Sequence, residues 1–427
     1  MTAGLIQLVA YGAQDVYLTG NPMITYFKVV YRRHTNFAME SIQQTFSGKV
    51  AWGSKVTALI SRNGDLVHSM TLEIDLPNIT TDAVNGNTVR WYNDIGHHIV
   101  QQSEVEIGGQ LIDRHYSDWL EIWTQLTVPA SKKLGYRRAI GQDILGANGG
   151  AGTNQQPVAN NGAVATITGR KLYVPLQFWF CRNVGLALPL IALQYHEVKI
   201  NITFSSAARL YVSGGNPGVP TVGELGAALW VDYIYLDTDE RRRFAQVSHE
   251  YLIEQLQFNG DESYPGILNT PKSFNFNLSF NHPVKELVWV LKDGGEPSSY
   301  VDRNFTLSGS DNFCGHNTSG NNPVISAKLQ LNGNDRFAVR DGTYFNWVQP
   351  FKHHTCIPDS PGINVYSFAL KPEEHQPSGT CNFSRIDNAK LNLTLAVGLD
   401  GGVVKVFATN YNVLRIMSGM GGLAYSN

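Results

Sequence analysis

A chain of 427 residues with 43% apolar side chains has room for two or three domains with substantial cores. Charged residues make up only 16%, below the roughly 25% usual for soluble domains, and the 41 glycines, 19 tyrosines and 19 phenylalanines favour many strands joined by turns. So little charge points to surface that ends against other subunits, and a net charge of −2 gives no reason to expect nucleic-acid binding, which shows as a basic domain or stripe.

Residues 1–25 read as an arm of short apolar pieces broken by Gly4, Gly12, Gly20 and the turn pair Asn21-Pro22. The start lacks the basic region and apolar core of a signal peptide, and no stretch approaches 18 uninterrupted apolar residues, so synthesis in the cytosol and no transmembrane helix are expected. From Ile24 the chain becomes strand-like, and 56–76 reads as two strands about Asn63-Gly64, a hairpin signal. Val105, Glu106 and Ile107 followed by Gly108-Gly109 predict another hairpin, with a helix over 116–126 behind it. Residues 146–165 and 213–224 read as loops, and strand composition covers 172–180 and 197–204 between them. The stretch 229–258 predicts strand, short helix, strand: Asp237 offers an N-cap, Glu240 completes a capping box, and acids precede Arg241, Arg242 and Arg243 as the helix dipole favours.

The two flanks of that stretch look like two versions of one unit. The segment 329–334 echoes 105–110 at an offset of 224 residues, and 391–395 echoes 200–204 at an offset of 191, with Asn and Thr in matching places. Loss of the loop near 146–165 and its flanks accounts for the difference, so duplication is favoured. Many short strands with long connections in each half predict an all-β chain of two eight-stranded antiparallel jelly rolls with few short helices. The expected divisions are an arm at 1–25, a first jelly roll at 26–236, a linker helix at 237–247 and a second jelly roll at 248–427.

Catalytic and metal chemistry finds no support. His97-His98 and His353-His354 are adjacent pairs, which on a strand point to opposite faces, and no His-x-His sets two imidazoles on one face. No phosphate loop, nucleophile elbow or dinucleotide fingerprint is present, and Gly419, Gly421 and Gly422 read as a terminal turn. No catalytic residue, metal or cofactor is expected. Cys181, Cys314, Cys356 and Cys381 lack pairing or metal-like spacing and are expected to be reduced, buried thiols. Arg241 to Arg243 could hold a phosphate but read more simply as a solvated or interface helix face.

Longer words are more specific. YGAQDVYLTGNP (11–22), YRRHTNFA (31–38), EIGGQLIDRHYSDW (106–119), LALPLIALQYHEVK (186–199), QPSGTCNFSRIDNA (376–389) and NYNVLRIMSGMGGLAY (410–425) closely resemble the major capsid proteins of large icosahedral double-stranded DNA viruses, nearest to those infecting algae. Matching is poor at about 78–95, 128–168, 206–226, 293–325 and 396–405, which read as loops. The resemblance implies a double jelly roll, a homotrimer forming a pseudo-hexagonal capsomer, and a shell of such capsomers over an internal membrane. The arm would lie at the capsomer base near minor capsid proteins and that membrane. There would be no direct contact with nucleic acid, and the chain would be made and assembled in the host cytoplasm as part of the virion capsid. Glycans, where present, are expected on outward loops at Asn304 and Asn317; the sequons at Asn201 and Asn392 sit in expected strands. The rivals are a carbohydrate-binding jelly roll using Tyr211, Tyr264 or Tyr300, and a cupin-type metal enzyme.

Overall fold

Inward-facing apolar residues at every second position build two sandwiches in succession. The computed structural model describes residues 3–80, 88–92, 94–141, 166–214, 220–293 and 322–425. They fall into two units, 1–37 and 38–427. The first holds two short helices, α1 (Ala3–Val9) and α2 (Val16–Thr19), with Asp15 Oδ2 accepting from Gly12 N at 2.7 Å. The strand composition from Ile24 onward gives no strand before Phe37, because a strand exists only where a partner accepts its hydrogen bonds.

The second unit opens with the first module, built on eight principal strands with shorter strands beside them. The principal strands are β1 (Phe37–Gln44), β2 (Lys55–Leu59), β3 (Leu66–Leu76), β4 (Val100–Ile107), β5 (Gln110–Tyr116), β6 (Arg170–Pro175), β7 (Val198–Phe204) and β8 (Gly226–Leu236). Within this module lie α3 (Ile95–Ile99), α4 (Ser117–Thr127), α5 (Ala130–Ile140) and α6 (Trp179–Arg182), and α7 (Thr238–Gln246) leads out of it. Their counterparts in the second module are β9 (His249–Ile267), β10 (Lys272–Leu278), β11 (Pro283–Asp293), β12 (Val324–Leu331), β13 (Asn334–Asp335), β14 (Asn364–Ser367), β15 (Ala389–Leu395) and β16 (Leu399–Met417), again with shorter strands beside them. A π turn (Tyr344–Val348) runs into α8 (Gln349–His353), and β17 (Met420–Leu423) folds back on β16.

The order of these strands repeats. The first module pairs β1-β8-β3-β6 and β2-β7-β4-β5; the second pairs β9-β16-β11-β14 and β10-β15-β12-β13. Register repeats as well. Val105 pairs with Ile200 and Glu104 with Asn201, while Leu329 pairs with Leu391 and Lys328 with Asn392. Asn201 Nδ2 donates to Glu106 Oε1 at 2.6 Å, and Asn392 Nδ2 donates to Gln330 Oε1 at 3.1 Å. Each equivalent hairpin turns on two residues of positive φ, Gly108-Gly109 and Asn332-Gly333, as the two-residue turn that matches strand twist requires. The chain is a double jelly roll.

Several local expectations are corrected. Asn63-Gly64 is no hairpin: β2 and β3 belong to opposite sheets and the chain crosses between them. Gly64 is needed there for space, since a Cβ would lie 2.8 Å from Tyr233 Cβ. Residues 172–180 stop being strand after Pro175 and form α6; the stretch read as a loop over 128–168 contains α5, and 399–405 is part of β16. Asp237 caps α7 by accepting from Thr238 N at 2.8 Å, but Glu240 Oε2 has no partner, so the capping box does not close. The loop 146–165 lies outside the described residues.

Candidate functional site

The sequence of α4 sets Trp119, Ile122, Trp123 and Leu126 at helical spacing along one face, with Asp118 in the first turn and Pro129 just past the end. That face leaves the first module and packs on the outer face of the second module's sheet. Val288, Val290, Ile363, Val365 and Phe407 receive it there. Trp119 stands 5.6 Å from the Phe407 ring and 5.8 Å from Trp123. The seam is a third apolar core, distinct from the interiors of the two sandwiches.

Charges cross the same seam. Asp118 lies 2.5 Å from Lys292 Nζ and 2.8 Å from Lys405 Nζ. Burial alone would raise its pKa, but the two ammonium groups outweigh that and hold the carboxyl well below its usual range. Glu254 bridges Lys285 at 2.8 Å and Arg182 at 3.1 Å, and the Arg182 guanidinium stacks 3.7 Å over the Trp123 ring. Lys285 is fully buried, which lowers its pKa against the pull of Glu254 and Glu286, and it also donates to Pro372 O. His354 sits between Glu286 at 3.0 Å and Glu373 at 2.9 Å. Burial opposes its charge, yet the two carboxylates lift its pKa to about 9. Backbone bonds add to the seam: Leu256 N donates to Asp113 Oδ1 at 3.0 Å, and Cys356 N to Leu126 O at 2.9 Å.

The charged groups of the seam pair with one another. Buried ion pairs give back in attraction roughly what they lose in hydration, so the apolar contacts hold the modules together while the charges fix how they meet. Among the described residues no cluster of three His, Cys, Asp or Glu side chains could hold a metal. A shallow depression over β2, β7 and β4 is lined by Lys55, Thr57, Glu106, Lys199 and Asn201, and its lysines pair with Glu104 at 2.9 Å and Glu197 at 3.3 Å.

Asn304, Asn317 and Tyr300 lie outside the described residues. Tyr264 is buried in the second core and Tyr211 half-buried, so neither is an exposed platform for a sugar ring. The histidine pairs lie on α3 and at the end of α8, not on strands. His97 donates from Nδ1 to Glu121 Oε2 at 2.6 Å and meets Tyr136 Oη at 2.8 Å. Arg241, first of the arginine triplet, pairs with Asp65 at 2.9 Å. Cys181, Cys356 and Cys381 are free and half-buried, and desolvation in its apolar surroundings pushes the Cys181 thiol up to about 12, while Cys314 lies outside the described residues. Sequence reasoning missed the seam charges. A sequence signal for the seam is the helical spacing of Trp119, Ile122, Trp123 and Leu126 in α4.

A family model described as "Major capsid protein N-terminus" matches residues 25–237, and one described as "Large eukaryotic DNA virus major capsid protein" matches 240–422. The major capsid protein of Pyramimonas orientalis virus is 53% identical over the full length of both chains. That of Paramecium bursaria Chlorella virus 1 is 44% identical, again over both full lengths. A chain from a quasi-atomic model of the PBCV-1 virus capsid, 40% identical, superposes with a TM-score of 0.77 over 94% of this chain and 100% of that one.

Proposed function

Because the chain belongs to the major capsid proteins of large eukaryotic DNA viruses, we propose that it closes into a homotrimer, a pseudo-hexagonal capsomer that tiles with its neighbours. It is a structural subunit of an icosahedral virion capsid, assembled with other capsid subunits, and not an enzyme. The observation that carries the trimer is the repeated strand order and register of the two modules. Two equivalent modules per chain give six equivalent corners when three chains close a ring. The low charge fits surface that is covered on assembly.

The finer reading gives 1–25 as an arm at the capsomer base, against minor capsid proteins and the internal membrane, with modules at 26–236 and 248–427 joined by 237–247. Assembly takes place in the host cytoplasm, without direct contact to nucleic acid. Glycans belong at Asn304 and Asn317 and not at Asn201 or Asn392, whose side chains bond across strands β7 and β15. Sedimentation at micromolar concentration should give a particle of three times the 47.2 kDa chain mass. A monomer there would overturn the trimer, and a glycan found on Asn201 by peptide mass spectrometry would overturn the glycan assignment.

A further inference from the structure

The duplicated modules differ in one exposed feature. In the first module the helix after the β4–β5 hairpin, α4, carries the pair Trp119 and Trp123, both buried against the second module. In the second module the helical segment after the β12–β13 hairpin carries Trp347 and Phe351 at the same spacing, behind Tyr344 as α4 lies behind Tyr116. Here the pair is open: Trp347 is 58% exposed and Phe351 76%, with Leu370, whose carbonyl meets His353 Nδ1 at 3.0 Å, exposed at 72% beside them. Large apolar side chains exposed on one short segment and on the loop bonded to it are a contact surface.

The intrachain seam says what such a helix docks on. Module one's helix lies on the outer face of module two's β11, β14 and β16. The corresponding outer face of module one, on β3, β6 and β8, presents Thr71, Tyr173, Pro175, Ala228 and Trp230, alternating with the core residues Met70, Leu72, Leu172, Val174, Leu229 and Val231. Tyr173 is exposed and the other four are half-buried, so among the described residues no helix covers this face as α4 covers its counterpart. The charge pattern is reversed. In the seam a helix carboxylate, Asp118, meets sheet lysines; in the open pair the helix exposes Lys352 beside Phe351, and the sheet carries two carboxylates, Glu73 and Asp75, which share Lys171 between them, with Trp230 Nε1 also donating to Glu73.

We infer that the Trp347–Phe351–Leu370 patch is the docking surface for a second copy of this chain, seated on the outer face of β3, β6 and β8 of that copy. The contact repeats between chains the helix-on-sheet seam found within one. It is heterologous, so it propagates head to tail and closes only as a ring. The reversed charges keep α4 from competing for the same sheet, since Asp118 would meet Glu73 and Asp75. This surface rests on the trimer reading above.

The test replaces Phe351 with the photo-crosslinker benzoylphenylalanine in the full chain and, separately, makes Phe351→Asp. Irradiation should join two copies, with the crosslinked peptide mapping to 170–175 or 226–236 of the second. Phe351→Asp should sediment at one third of the wild-type mass with an unchanged near-ultraviolet circular dichroism spectrum. Crosslinks confined to one chain or mapping to another face, or a Phe351→Asp protein that stays trimeric, would overturn the assignment. If Phe351→Asp fails to fold, the crosslink map alone decides. A wild-type monomer would instead overturn the assembly reading itself, which sedimentation of the unmodified protein reveals before either variant is made.

Discussion

The two modules are the same drawing made twice, and the places where they differ are where one of them faces the other. Both keep the sheet orders, the register between the hairpin strand and its neighbour, and the asparagine bond across it. They part at the helix behind the hairpin. In the first module its last apolar residue, Leu126, is fully buried in an apolar seam; in the second the helix ends at His353, followed by His354 clamped between two carboxylates. A duplicated fold can hold its framework constant while the edges specialise, because register is set by strand pairing and identity by what covers the outer face.

The largest test of that difference is truncation of the two tryptophans. Trp119→Ala should lower the unfolding free energy by about 3–5 kcal/mol, the cost of emptying a buried aromatic site. Trp347→Ala should change it by less than about 0.5 kcal/mol, as expected at an exposed position away from a core. Guanidinium titration of the dissociated chain measures both. Equal losses would erase the distinction between a covered and an open helix.

Next in size is a pair of opposite pH dependences. His98 has its pKa lowered from 6.5 to about 4, chiefly by desolvation and further by the Lys292 charge. Its contribution is complete above pH 6.5 and is lost as pH falls toward 4. His354, raised from 6.5 to about 9, contributes fully below pH 6.5, and that contribution is lost as pH rises through 9. Each shift corresponds to about 3 kcal/mol. Stability measured from pH 5 to 10 should therefore fall at both ends, and His354→Gln should flatten only the alkaline limb. An alkaline limb as steep in that variant as in wild type would remove His354 from the account.

The smallest effect separates the two asparagines. Asn201 bonds both Glu106 and Thr57, the latter at 2.7 Å, whereas the Asn392 amide oxygen has no partner. Asn201→Ala should cost about 1–2 kcal/mol and Asn392→Ala less than about 1 kcal/mol. A reversed order in thermal unfolding would show that the shared bond is not what fixes the register.

Legibility followed the range of the interaction. The hairpins at Gly108-Gly109 and Asn332-Gly333 could be read because a two-residue turn demands positive φ and few residues supply it. The duplication could be read because alternating strands carried Asn and Thr at the same places. Asn63-Gly64 misled because its glycine answers to the approach of Tyr233, a residue 169 positions away, and not to a turn. α5 was missed because its basic run, ASKKLGYRRAI, buries only Ile140 and so has no apolar stripe; Lys133 and Arg137 pair with Asp359 of the other module.

By itself the sequence determined the class of fold, the number of modules and the family, since alternation, turn chemistry and long shared words are local properties of the chain. It also placed the helix α4, within a residue of its observed bounds. Only the tertiary structure decided what the apolar face of that helix meets, which charges pair across the seam, and that the equivalent face at Trp347 and Phe351 stays open. The reason is physical: a lysine such as Lys292 or Lys405 looks like any surface lysine until the fold brings Asp118 within 3 Å of it. Burial and pairing are properties of position in space, and two helices with the same aromatic spacing differ only in what the rest of the chain lays over them.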